Sequence, residues 1–145
     1  MPAHRIDHIG VIVDDLPAAK AFFLDLGLEL EGEGDVEGEW VDRIIGLPDV
    51  RAAMVMLRAP KGRAGIELIK FHRPSGEQET QQPAANTRGI RHIAFVVENV
   101  EATVAKLQTR GAALVGEIRT YEDVYKLCYV RGPEGIILEL AEELS

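Results

Sequence analysis

Two histidines and two glutamates stand at matched places in this sequence. His8 and His92 lie in "IDHIGVIV" and "IRHIAFVV", and Glu67 and Glu139 lie in "GIELI" and "GIILEL". Imidazole and carboxylate are donors that borderline and hard divalent ions accept, and two of each leave coordination positions free for water or a substrate. Charged side chains are costly to bury unless they are paired or metal-bound. Both glutamates sit in runs that read as strands covered on both faces, so each is expected to have a partner. Alternation along a strand puts His92 on the face of Ala94 and Val96, and Glu139 on the face of Ile137 and Ala141. A lone histidine of this kind is more often a satisfied core residue, but four donors related by repetition point to a divalent metal held by His8, Glu67, His92 and Glu139.

The repetition also defines the elements that must position these residues. Placing residues 6–30 on residues 90–114 matches Ile6/Ile90, His8/His92, Ile9/Ile93, Val13/Val97, Ala18/Ala102, Ala21/Ala105, Gly27/Gly111 and Leu30/Leu114. Each half begins with an Ile/Val-rich strand, followed by an acidic residue suited to a helix start, Asp14 or Glu98. An apolar helical pattern comes next, over Leu16–Leu26 in the first half and Val100–Arg110 in the second, with Pro17 in the first turn of the former and Gly27 and Gly111 at the ends. Extended segments complete each half: "RAAMVML" and "GIELIKF" in the first, and "ALVGEI", "VYKLCYV" and "GIILELAE" in the second. The ends of the halves align 12 residues closer than their starts, with "IELI" on "LELA" and Glu67 on Glu139. Extra residues are therefore expected at 31–50, read as an acidic, glycine-rich solvated loop leading to a short helix near Val41–Ile45, with a lid over a site as the sharper alternative. The expected class is α+β, with two tandem β-α-β-β-β modules in one domain spanning 1–145: residues 4–72 with an insertion at 31–50, a polar linker at 73–88, and residues 89–145.

Bulk composition narrows the partners. The chain has 145 residues, 46% of them hydrophobic, which is enough for one compact core. Cys128 is the only cysteine, so neither an intramolecular disulfide nor a thiolate cage can form, and a reducing, cytoplasmic setting is expected. No signal-peptide pattern or membrane-length apolar run is present. A net charge of −8 opposes non-specific attachment to nucleic acid or anionic membranes and favours a small-molecule substrate.

The paired "DHIGVIV…GIELI" and "RHIAFVV…RGPEGIILEL" resemble the vicinal oxygen chelate superfamily, which includes glyoxalase I, methylmalonyl-CoA epimerase, extradiol dioxygenases and the fosfomycin and bleomycin resistance proteins. The resemblance covers almost the whole chain. It implies modules whose sheets curl around a divalent ion (Ni, Co, Zn, Mn or Fe) held by His8, Glu67, His92 and Glu139, in one chain or across a homodimer. The His, Glu, His, Glu set is similar to that of bacterial glyoxalase I. Epimerases tend to have glutamine where Glu67 stands, and they place a separate carboxylate on the strand that here has no Glu between Arg51 and Leu57. A fourth protein ligand argues against a non-haem iron dioxygenase. What the resemblance implies is a lyase or isomerase acting through a metal-stabilised enolate on a small carbonyl or thioester substrate, with Glu139, or Glu67, as the base. The alternatives are a protein of the same fold that sequesters an antibiotic or metabolite, or the dioxygenase.

Other polar residues carry weaker expectations. Arg51, Arg63, Arg88 and Arg91 could receive an anionic group of the substrate, although surface arginines are common. Trp40, Tyr121, Tyr125 and Tyr129 could wall a pocket, with core or interface packing the commoner role. His4 and His72 fall outside the repeat. Cys128 reads as an inert buried thiol.

Overall fold

The computed structural model describes residues 3–77 and 82–144, so residues 78–81 of the expected linker lie outside the described residues. The chain divides into two compact units, Met1–Gln78 and Glu79–Ser145. Each is a mixed sheet carrying few helices, as expected of the α+β class.

The first unit runs β1 (His8–Ile12), α1 (Leu16–Leu26), β2 (Glu29–Glu37), α2 (Glu39–Ile45), β3 (Arg51–Arg58) and β4 (Gly65–Arg73), with sheet order β1-β4-β3-β2. β1 lies parallel to β4, a pairing that requires a crossover, and the other pairs are antiparallel. Helix α1 spans the expected residues. Its cap is Asp15, whose carboxylate accepts the Ala18 N–H at 3.0 Å, so the helix start falls one residue after the expected Asp14. Gly27 ends the helix at φ 115°, a conformation a side chain would strain. Ala19, Phe22 and Phe23 recur at helical spacing and are buried, as are Val55, Leu57, Ile66 and Leu68 on one side of the sheet.

The second unit runs β5 (His92–Val96), α3 (Val100–Gln108), β6 (Ala113–Leu114), β7 (Arg119–Tyr121), β8 (Tyr125–Arg131) and β9 (Ile137–Glu143). Its sheet order is β5-β9-β8-β6, with β7 also paired to β8, and β5 is parallel to β9. Asn99, not Glu98, caps α3 by accepting the Ala102 N–H at 2.8 Å. The Glu142 carboxylate accepts the Val100 N–H at 2.8 Å and ties the last strand to the helix start. Val100, Val104 and Leu107 are buried, as are Cys128, Val130, Leu138 and Leu140 on one face of the sheet. Burial pushes the Cys128 thiol up from its ordinary value, which disfavours the reactive thiolate.

Helix α3 ends at Gln108, with Thr109 at its C-terminal cap, rather than running to Arg110 and Gly111, and further expectations change in the first unit and at the glutamates. Residues 29–37 are a strand rather than loop, because β2 pairs with β3 from Glu29↔Arg58 to Glu37↔Arg51 despite its glycines and acids. Only α2 and its flanks remain as insertion, and the helix starts at Glu39, earlier than expected. The acidic side chains suit an edge strand, since charge discourages pairing with another sheet edge. Glu67 and Glu139 are also not on strands covered on both faces. In β4 and β9 the alternate residues Ile66, Leu68, Leu138 and Leu140 are buried, while the opposite face is partly open. Among the described residues, no helix is long and apolar enough to cross a membrane.

Candidate metal centre

Strand register brings each histidine beside a glutamate. In the first unit His8 is level with Gly65 and Gly10 with Glu67, so His8 and Glu67 are diagonal neighbours on one face of a parallel pair. In the second unit His92 is level with Ile137 and Ala94 with Glu139, which repeats the same diagonal. His8 Nε2 lies 3.7 Å from Glu67 Oε1, and His92 Nε2 lies 3.3 Å from Glu139 Oε1. Two ligands about 2.0–2.2 Å from one ion, at tetrahedral or octahedral angles, sit roughly 3.0–3.5 Å apart. The His92–Glu139 pair lies in that range and fits two neighbouring vertices of a coordination shell, and the His8–Glu67 pair is slightly wider.

Exposure suits the same use. Both histidine side chains are 37% exposed, against 14% for Glu67 and 23% for Glu139. The carboxylates are shielded enough to be costly without a partner and open enough for an ion to reach. Within one unit only two such donors meet. Among the described residues, no group of three or more His, Cys, Asp or Glu side chains is placed to hold a metal.

The second ring nitrogen of each histidine has its own neighbour, and sequence reading singled out neither for this role. His8 Nδ1 lies 2.7 Å from Asp7 Oδ2. An ionised carboxylate can only accept, so Nδ1 is the donor in this bond and Nε2 is the ring nitrogen that faces Glu67. That bond is the main cause of the Asp7 carboxyl lying below its ordinary value, with Arg58 and Arg5 adding to it. His92 Nδ1 is 3.5 Å from the Tyr129 hydroxyl, and the two rings meet at 4.9 Å between centroids. Tyr129 is level with Glu139 and thus walls the second pair, whereas packing was its commoner expected role. Asp7 precedes His8 directly and was legible as a neighbour; Tyr129 required the β8/β9 register.

On the first unit's sheet, the face bearing Glu67 continues into apolar surface. Met56 is level with Glu67 and Met54 with Ile69, while Gly32 and Gly34 stand opposite the two methionines. A Cβ at Gly10, Gly32 or Gly34 would meet nothing within 4 Å, so these positions are open. Helix α2 closes the far end through Val41, which clusters with Val50 and Ala52 and packs with Val36, Ile69 and Phe71. The 31–50 segment thus contributes a strand and an end wall to this face, while Trp40 and Ile44 remain exposed.

Several of the remaining candidates are engaged elsewhere or exposed. Arg91 donates to the carbonyls of Thr87 and Arg88 at 3.0 and 2.9 Å, an intraloop role. The Arg63 carbonyl accepts from Arg58. Trp40 and Tyr121 are largely exposed, as are His4 and His72.

Comparison with known proteins places this arrangement. Residues 7–129 match the model of the Glyoxalase/Bleomycin resistance protein/Dioxygenase superfamily. The chain is similar to a glyoxalase family protein from Bacillus cereus, with 39% identity, a TM-score of 0.95, and coverage of 100% of this chain and 97% of that one. It is also similar to the protein YaeR of Escherichia coli strain K12, 29% identical over 145 residues and covering 96% of each chain. The trypanothione-dependent glyoxalase I of Leishmania major shares the fold, at 20% identity and a TM-score of 0.65, with 97% of this chain and 88% of that one covered. The repeated strand-helix pattern, the two mixed sheets and the match over most of its length agree: this chain belongs to the glyoxalase/bleomycin resistance protein/dioxygenase superfamily.

Proposed function

We propose that the protein is a metal-dependent lyase or isomerase of the glyoxalase or epimerase type, acting on a small carbonyl or thioester substrate in the cytoplasm. The observation that carries this reading is the repeated half-site: the same two atoms, His Nε2 and Glu Oε1, meet at 3.7 Å in one unit and 3.3 Å in the other. Two donors are too few for a divalent ion of this kind. His8, Glu67, His92 and Glu139 are therefore proposed to act together on one ion (Ni, Co, Zn, Mn or Fe), in a homodimer that also covers exposed sheet edges.

When bound, the ion supplies Lewis acidity to a substrate carbonyl oxygen. The chain's own residues do the rest. Glu139 takes the proton from the carbon next to the carbonyl onto a carboxylate oxygen and returns it at the position that sets the product, with Glu67 the other carboxylate able to do so. Tyr129 packs against the His92 ring beside Glu139, and Asp7 holds the ring of His8. Met54, Met56 and the open glycine positions of the first unit's sheet offer an apolar face to the apolar part of a substrate.

Native mass spectrometry of the purified protein tests this assembly. The expected result is a dimer holding one divalent ion for every two half-sites. A monomer that stays metal-free after incubation with each of the five ions contradicts it.

A further inference from the structure

We infer that Asp7 is a positioning residue that fixes His8 in the tautomer needed to ligate a metal through Nε2. The inference rests on the metal-binding reading, but its geometry lies entirely within one unit.

Asp7 is held from three directions. Its Oδ2 accepts from His8 Nδ1 at 2.7 Å, and its Oδ1 faces Arg5 Nη2 at 3.3 Å and Arg58 Nη2 at 3.6 Å. Its carbonyl oxygen accepts the Gly65 N–H at 2.8 Å and Arg58 Nη1 at 3.1 Å. Arg58 is in turn anchored by the Glu31 carboxylate and the Arg63 carbonyl. Glu31 sits at the bulge of β2. A continuous run, Glu31–Arg58–Asp7–His8, thus crosses from the outer strand of the sheet to the half-site and sets the ring that faces Glu67. Such a carboxylate behind a ligating imidazole fixes its orientation and raises its basicity.

Among its described residues, the second unit lacks this device. The repeat puts Arg91 where Asp7 stands, and its guanidinium is turned to loop carbonyls. Among the described residues, the neighbour of His92 Nδ1 is the Tyr129 hydroxyl at 3.5 Å. The two half-sites therefore differ in outer support although their donor atoms match. An exposed ion pair would be worth little to stability, so a network of this length around one ring is better explained by orientation than by folding.

The test uses long-range proton–nitrogen NMR on the metal-free protein together with zinc calorimetry, for the parent, Asp7→Ala and Asp7→Asn. In the parent, His8 is expected as the Nδ1–H tautomer. Asp7→Ala is expected to lose that tautomer and to bind zinc ~10–100-fold more weakly, the usual cost of removing such a partner. Asp7→Asn, whose amide oxygen can still accept from Nδ1, is expected to keep the tautomer and recover most of the affinity. A parent His8 protonated on Nε2 overturns the inference even if Asp7→Ala does not fold, as does an Asp7→Ala protein with unchanged tautomer or unchanged affinity. A parent that binds no zinc would count against the metal-binding reading, while the tautomer measurement still decides whether Asp7 sets the ring.

Discussion

His92→Ala is expected to lower affinity for divalent ions by more than ~100-fold, because losing a ligand should exceed the roughly 10–100-fold that an outer partner is worth. Among the described residues of the second unit His92 and Glu139 are the paired donors, so the variant leaves one carboxylate of that pair. The effect on folding should be small. The His92 side chain is 37% exposed, and the core of its unit is built from residues on the other face of the sheet, such as Leu138 and Leu140. Isothermal calorimetry with nickel or zinc, beside a thermal melt of the metal-free protein, separates the two effects. Parent-like metal binding by a folded variant would remove His92 from the site.

Glu139→Gln is expected to slow proton exchange at the carbon next to the substrate carbonyl by ~10²–10⁴-fold, the range associated with a positioned general base. Glutamine keeps the size and one oxygen donor but has no basic carboxylate, so metal should still bind, more weakly. Glu67→Gln is the necessary comparison. Glu139 is the more exposed of the two, at 23% against 14%, and lies beside Tyr129 where Glu67 lies beside Met56. A large fall in Glu67→Gln with none in Glu139→Gln would move the base to the first unit.

Much of the fold was legible because the repeat states it twice. The Ile/Val strands, the helices with their capping positions and the terminal Glu-bearing strands are local patterns, set by period and by a few special residues. Strand β2 was not legible in the same way. Its "ELEGEGDVE" has no apolar alternation and is poor in strand-favouring residues, and it is held extended by its pairing with β3. The α1 cap is displaced by one residue because Asp14 and Asp15 are adjacent residues of one type, whereas at α3 Asn99 is a better cap by residue type than Glu98.

The four candidate ligands were legible as residues, and so was their matched placement. Burial on both faces, expected of the glutamates from their apolar runs, is not what the structure shows. Each lies on a half-open face, and what marks it is the imidazole one step away across a parallel strand pair. Asp7 and Tyr129 depend on ring orientation and on register, neither of which a linear reading carries.

The most direct measurement is NMR-detected incorporation of solvent deuterium next to the carbonyl of candidate hemithioacetals of 2-oxoaldehydes and of acyl thioesters. The parent protein would be followed after chelation and again after adding nickel, cobalt, zinc, manganese or iron. Breaking that C–H bond is common to lyase and isomerase outcomes alike, so exchange does not depend on which product forms. The expected result is exchange that is lost with the metal and returns with at least one of the five ions. Saturable binding of these compounds with no exchange under any metal condition would contradict the enzyme reading and favour a protein that sequesters its ligand.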